Sequence, residues 1–125
     1  MDTVRQIIYF KTHFTDFFEK QTEKVKSKID YVLYVVSIAE QIPKKFFDHM
    51  TGTDGLYEIR IEYGTNIYRI FCCFDEGNIV VLFNGFQKKS QKTPQTEIDK
   101  ALKIKKEYFD EKLKNKAHEN YKKKK

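Results

Sequence analysis

Residues 57–74, YEIRIEYGTNIYRIFCCF, decide the fold. Gly64-Thr65 places a glycine at the first central position of a two-residue loop, which suits a tight β-hairpin. The register then follows: Tyr63 faces Asn66, Ile61 faces Tyr68, and Arg60 stands directly opposite Arg69. Like charges placed across strands destabilise an exposed hairpin by about 0.2–1 kcal/mol. A chain that keeps such a pair is expected to use it on an anion, and RNA phosphate is the leading candidate. The hairpin's two faces differ. Tyr57, Ile59, Ile61, Tyr68, Ile70 and Cys72 form an apolar face expected to pack on helices. Glu58, Arg60, Glu62, Ile67, Arg69 and Phe71 form the other, expected to stay open as a working surface.

The rest of the chain frames this hairpin. Arg5 to Phe10 is β-prone and predicts a first strand. Thr15 is expected to cap a short helix carrying Phe17 and Phe18. Thr22 is expected to cap a longer one, in which Val25, Ile29, Val32, Leu33, Val36 and Ala39 form an apolar stripe ended by Pro43. Lys44 to Leu56 reads as a connection. Three strands follow, Tyr57–Tyr63, Asn66–Phe74 and Asn78–Phe86. The loop Asp75-Glu76-Gly77 fits a two-residue turn or a three-residue turn with Gly77 left-handed, and the choice decides which face Asn84 and Phe86 occupy. Thr93-Pro94 predicts a helix start, with Ile98, Ala101, Leu102, Tyr108, Phe109 and Leu113 on its apolar side. The fold class is therefore α+β: an antiparallel sheet of about four strands, two N-terminal helices packed on one face, and a C-terminal helix. A single domain is expected over 1–116, followed by a lysine-rich, frayed tail over 117–125.

Composition narrows the function. At 125 residues, 40% hydrophobic and 15% aromatic, the chain can build a core. It has no apolar run of membrane-spanning length, and MDTVRQIIYF lacks the apolar core of a signal peptide, so a cytoplasmic protein is expected. Cys72 and Cys73 are neighbours in a strand and point to opposite faces, which suits strand filling in a reducing compartment. The net charge of +6 is uneven: residues 1–85 hold ten Lys/Arg and twelve Asp/Glu, residues 86–125 fourteen Lys and six Asp/Glu. Such a basic last third suits a polyanion or an acidic protein partner.

Lys88, Lys89 and Lys92 lie between the last strand and the helix start, and beside Arg60 and Arg69 they predict a cationic concavity. Arginine forks grip two phosphate oxygens while lysine acts as a point charge. The competing reading is structural, with Arg60 neutralised by Glu58 and Glu62, Arg69 likewise paired with an acid, and the KKSQK stretch an exposed loop. Other chemistries find little support. His13, His49 and His118 are scattered without metal-ligand spacing, and no metal or cofactor is expected. No acyl-transfer or dinucleotide motif is present. His49 is a candidate general base, though a solvent-facing or satisfied histidine is the commoner case.

The run GLYEIR (55–60), the YRI strand (68–70), the Asp75-Glu76-Gly77 turn and FQKKSQKTPQTEIDKA (86–101) together resemble the RelE/ParE toxin superfamily, in its phage-derived HigB-like branch. The resemblance covers about residues 52–102. It implies a RelE-like toxin of a bacterial type II toxin–antitoxin pair, an endoribonuclease that cuts mRNA on the ribosome. The 2′-hydroxyl attacks the adjacent phosphate without a metal, and a helix-turn-helix antitoxin is the expected partner. By motif position, Arg60, Arg69 and Lys88 would be catalytic, and Asn84, Phe86, Lys89 and Lys92 would bind RNA, with Phe86 stacking on a base. Asn84 stands where some relatives carry a histidine, and an amide cannot act as a base. ParE-like relatives inhibit DNA gyrase instead, and an inert nucleic-acid-binding relative is a third possibility.

Overall fold

The computed structural model describes residues 2–123. Eight elements follow one another: β1 (Gln6–Tyr9), α1 (His13–Glu19), α2 (Glu23–Ile38), β2 (Phe47–His49), β3 (Tyr57–Tyr63), β4 (Asn66–Asp75), β5 (Ile79–Lys88) and α3 (Gln95–Lys123). The strands form one sheet in the order β1-β5-β4-β3-β2. The α+β class, the two N-terminal helices on one face and the C-terminal helix are as expected. The sheet has five strands rather than four, because Phe47–His49 of the expected connection adds to β3 as an edge strand. It is antiparallel except for β1, which runs parallel to β5.

The hairpin has the expected register, with Tyr63 opposite Asn66 and Arg60 opposite Arg69. Gly64 turns at φ 61°, a left-handed value that costs glycine nothing. The second loop is the three-residue alternative: Asp75 pairs Ile79, and Gly77 takes φ 80°. One further irregularity then resets the register. Between the pairs Ile70–Gly85 and Cys72–Leu82, β4 contributes only Phe71 while β5 contributes Phe83 and Asn84. Two residues facing one is a β-bulge. It shifts the pairing by one residue and brings Phe86 opposite Arg69 and Lys88 opposite Ile67.

Each sheet face carries a core. Phe14 and Phe17 of α1 and Val25, Ile29, Val32 and Val36 of α2 pack on Ile59, Ile61, Ile70, Cys72, Val80 and Leu82. Gly85 lets Phe17 approach this sheet; a Cβ there would stand 2.5 Å from the Phe17 ring. On the opposite face, Ala101 and Ile104 of α3 cover Leu56, Phe71, Cys73, Val81 and Phe83. The expectation of an open second face is thus corrected: α3 buries one end of it, and only the end carrying the arginines is uncovered. Burial also explains the cysteines, one in each core, whose thiols are pushed up, that of Cys73 to about 11.

Helix termini depart from expectation in detail. Thr22 caps α2 through Val25 N at 3.3 Å, as its sequence predicts. Thr15 lies within α1 and bonds back to Thr12 O, so Thr12, not Thr15, precedes that helix. The α2 helix ends at Ile38, before Pro43. Arg5 gathers carbonyls at this end, donating to Val36 O of the last turn at 3.2 Å, to Ala39 O, and to Glu40 O just beyond the helix at 2.8 Å. A guanidinium there suits the negative end of the helix dipole. The α3 helix continues through Lys123, so residues 117–123 of the expected tail belong to it, and the rest of that tail lies outside the described residues. No helix among the described residues is long and apolar enough to cross a membrane.

Candidate functional site

Strand pairing builds the site as a ladder on the α3-bearing face. Glu58, Phe71 and the bulged Phe83-Asn84 form the rung beside α3. Arg60, Arg69 and Phe86 form the next. Glu62, Ile67 and Lys88 form the outermost. Arg69 thus sits at the centre of the uncovered end, on the middle strand of three. Without the bulge, Phe86 and Lys88 would point to the other face.

The two guanidinium groups share one carboxylate. Arg60 Nε donates to Glu58 Oε1 at 2.9 Å, and Arg60 Nη2 reaches Asp48 Oδ2 at 3.3 Å. Arg69 Nε stands 3.5 Å from Glu58 Oε2, close enough for an ion pair but without hydrogen-bond geometry. Arg69 Nη1 donates to the Tyr68 carbonyl at 3.1 Å. The Arg69 side chain is 9% exposed and Arg60 32%. Burial lowers the Arg69 pKa from its ordinary value, Glu58 opposes this, and the Arg60 charge adds to the lowering. Arginine nevertheless stays protonated. The result is a desolvated cation whose donors are only partly used. Structural neutralisation therefore holds for Arg60, through Glu58 and Asp48, while Arg69 is left underpaired.

The other expected site residues are distributed unevenly. Lys88 and Lys89 line a shallow cleft with Thr65, Ile67, Ser90 and Gln91 at the hairpin end. Lys92 is exposed in the following loop, where its carbonyl accepts from Ser90 Oγ at 2.8 Å. Phe86 is half-buried, its ring 5.6 Å from that of Phe71. Asn84 is 1% exposed and donates to Glu97 O of α3 at 3.3 Å. Direct RNA contact by Asn84 is therefore replaced by anchoring of the first turn of α3, because the bulge turns it under that helix. His49 pairs Tyr57 and stacks edge-on against it, on the face opposite the arginines, so it is not placed as their base. Asp48 was absent from the expectations because its three-residue strand lacks a readable alternation. Gly85 was the available hint of the bulge, since a glycine inside a strand marks an irregularity or a close approach.

Residues 16–106 match the family described as phage derived protein Gp49-like (DUF891). No curated protein matches the chain. Among solved structures, the chain is similar to one in the crystal structure of the archaeal RelE-RelB complex from Pyrococcus horikoshii OT3. The TM-score is 0.50 at 13% identity, over 72% of this chain and 99% of that one. At that identity the likeness concerns the fold, and it extends over nearly the whole of the archaeal chain. With the match spanning most of its length, this chain belongs to the phage-derived Gp49-like family.

Proposed function

We propose that the protein is the toxin of a type II toxin–antitoxin pair, of the HigB-like kind, and acts in the cytoplasm as a metal-independent endoribonuclease on ribosome-associated mRNA. The single observation that carries the reading is Arg69: a buried, underpaired guanidinium flanked by Arg60 and Phe86 at the uncovered end of the sheet. Family membership and the RelE-like fold support the toxin class. The archaeal relative is found with RelB, which supports an antitoxin partner here, of helix-turn-helix type by the HigB resemblance.

In this reading the scissile phosphate lies over Arg69. The ribose 2′-oxygen attacks phosphorus, the bond to the 5′-oxygen breaks, and a 2′,3′-cyclic phosphate and a 5′-hydroxyl result. Charge accumulates on the non-bridging oxygens, where donors fixed in a desolvated setting contribute most. Arg69 supplies the fork, Arg60 and Lys88 add charge from either side, and Glu58 fixes the Arg60 guanidinium. Phe86 offers a ring on which a base stacks, and Lys89 and Lys92 meet backbone. No imaginable imidazole base faces this rung among the described residues with His49 turned away, so the rate is expected to lack an inflection near pH 6.5. Expression of the wild type and Arg69→Ala in a bacterial host, with mapping of mRNA 5′ ends, tests the proposal. Growth arrest and new ends within translated codons are expected for the wild type only. Equal arrest by both proteins would sink it, and arrest with DNA-damage signalling but intact mRNA would assign gyrase inhibition instead.

A further inference from the structure

At the β3 edge a cleft continues outward from the arginine rung described above. β2 pairs with β3 only from Tyr57 to Ile59, after which Arg60 N donates to Phe46 O at 2.8 Å and the chain turns away through Pro43–Phe46. The space left is about 440 Å³, lined by Lys28, Lys45, Phe46, Arg60, Glu62 and Arg69. Lys28 comes from α2, on the far side of the sheet edge, and Lys45 from the loop before β2. Four cations thus meet one carboxylate in the lining.

The two lysines differ from the arginines they face. Arg60 has two carboxylate partners, whereas neither Lys28 nor Lys45 has one within 4.0 Å among the described residues. Their ammonium groups lie over aromatic rings instead, Lys28 5.6 Å from the Tyr31 centroid and Lys45 4.9 Å from that of Phe46. The buried Arg69 Nε, without a hydrogen-bond partner, belongs to the same cleft. Arg60 on β3, Arg69 on β4 and Lys88 on β5 form a cationic strip across three neighbouring strands, which lie about 4.8 Å apart. Lys28 and Lys45 lengthen it round the sheet edge, and half-buried rings, Phe86 and Phe46, interrupt the cations along it. Cations tracking a backbone, with rings between them, suit single-stranded nucleic acid.

We infer that the cleft at the β3 edge, with Lys28 and Lys45 as its cations, binds the phosphate of an RNA nucleotide flanking the one held by Arg69. The inference rests on the ribonuclease reading and extends it to a second subsite. Its test uses fluorescein-labelled, 2′-O-methylated RNA of two, four and six nucleotides, which cannot be cut by 2′-oxygen attack. Binding is measured across a salt series for the wild type, Arg69→Ala, Lys28→Ala/Lys45→Ala and Lys28→Arg/Lys45→Arg, with a twelve-residue glutamate peptide as competitor. The alanine pair should weaken hexamer binding roughly tenfold and lower the salt slope by about 0.7, the value for one lost phosphate contact on a single strand. The arginine pair should restore both, and the dinucleotide should be unaffected. Unchanged hexamer affinity and slope in the alanine pair, with Arg69→Ala weakened, would overturn this subsite alone. So would a loss confined to the glutamate peptide, which would make the cleft a protein-docking site. Absence of RNA binding by the wild type would overturn the ribonuclease reading together with it.

Discussion

Two buried carboxylates on the sheet, Asp75 and Glu58, meet their cations in opposite ways. At the α3-covered end, Lys112 Nζ donates to both Asp75 oxygens at 2.8 Å, and Tyr108 Oη donates to Oδ2 at 2.7 Å. Every acceptor is used, and the contact pins α3 to the end of β4. At the uncovered end, Glu58 faces two guanidinium groups, holds one at 2.9 Å, and leaves the other at 3.5 Å without hydrogen-bond geometry. A satisfied network fixes structure, whereas unused donors in a desolvated place are held for a ligand. The first cluster is a latch. The second, in the function proposed above, is a receptor for an anion.

Substitutions can break this contrast, and the largest effect is expected at Glu58. Glu58→Gln leaves Arg60 and Arg69 facing each other with only Asp48 and Glu62 nearby, and breaking a buried pair costs about 3–5 kcal/mol when nothing compensates. Asp48 and the loose Arg69 contact reduce this, so a loss of about 2–3 kcal/mol in urea unfolding is expected, partly reversed by added phosphate or RNA. A variant as stable as the wild type would mean that Glu58 does not hold the pair.

Asp75→Asn comes next. The amide cannot receive all three donated hydrogen bonds as a carboxylate does, and the loss should be about 1–3 kcal/mol. RNA binding should be unchanged, which separates latch from receptor. The pH dependence sharpens the point. Burial raises the Asp75 pKa, but Lys112 and Tyr108 together lower it further, and the net value lies below 3.8. Its stabilisation is therefore complete above the unfolded-state carboxyl value and is lost as pH falls through the lower folded value. Wild type and Asp75→Asn should converge in stability as pH falls from about 5 to 3. A constant gap would deny Asp75 its role.

The legibility of the two regions in the sequence differs for the same physical reason. The Arg60–Arg69 pairing was readable because a two-residue turn at Gly64-Thr65 fixes register locally, and the neighbouring side chains follow from strand alternation. The position of Phe86 was not, since it depends on a bulge set by long-range packing: Asn84 bonding to Glu97 O, and Phe17 occupying the space over Gly85. Nor was the covering of Phe71, Cys73 and Phe83 by α3, because an apolar stripe on a helix does not state which sheet face it seeks. β2 escaped because three residues, Phe47 to His49, carry no period. The Asp75 latch joins residues 33 and 37 positions apart, beyond any local pattern.

The smallest effect is expected at Lys11. It pairs with Glu107 and Glu111 at an exposed site where water screens the charges. Lys11→Ala should leave both the melting temperature and RNA binding within error, and a marked change in either would show that α3 is held by surface charge rather than by its core and latch.

One substitution tests the contrast most directly. Arg69→Met keeps bulk and removes the underpaired charge while Glu58 retains Arg60. Removing one member of a buried ion pair is costly when the other charge is left uncompensated, and here Arg60 stays at 2.9 Å from Glu58 and keeps it paired. Melting temperature and RNA cleavage should be measured on the same preparation. The expected result is an unchanged or raised melting temperature with cleavage reduced on the order of a hundredfold or more. Retained cleavage, or a loss of stability like that of Asp75→Asn, would contradict the assignment of Arg69 as a receptor for phosphate.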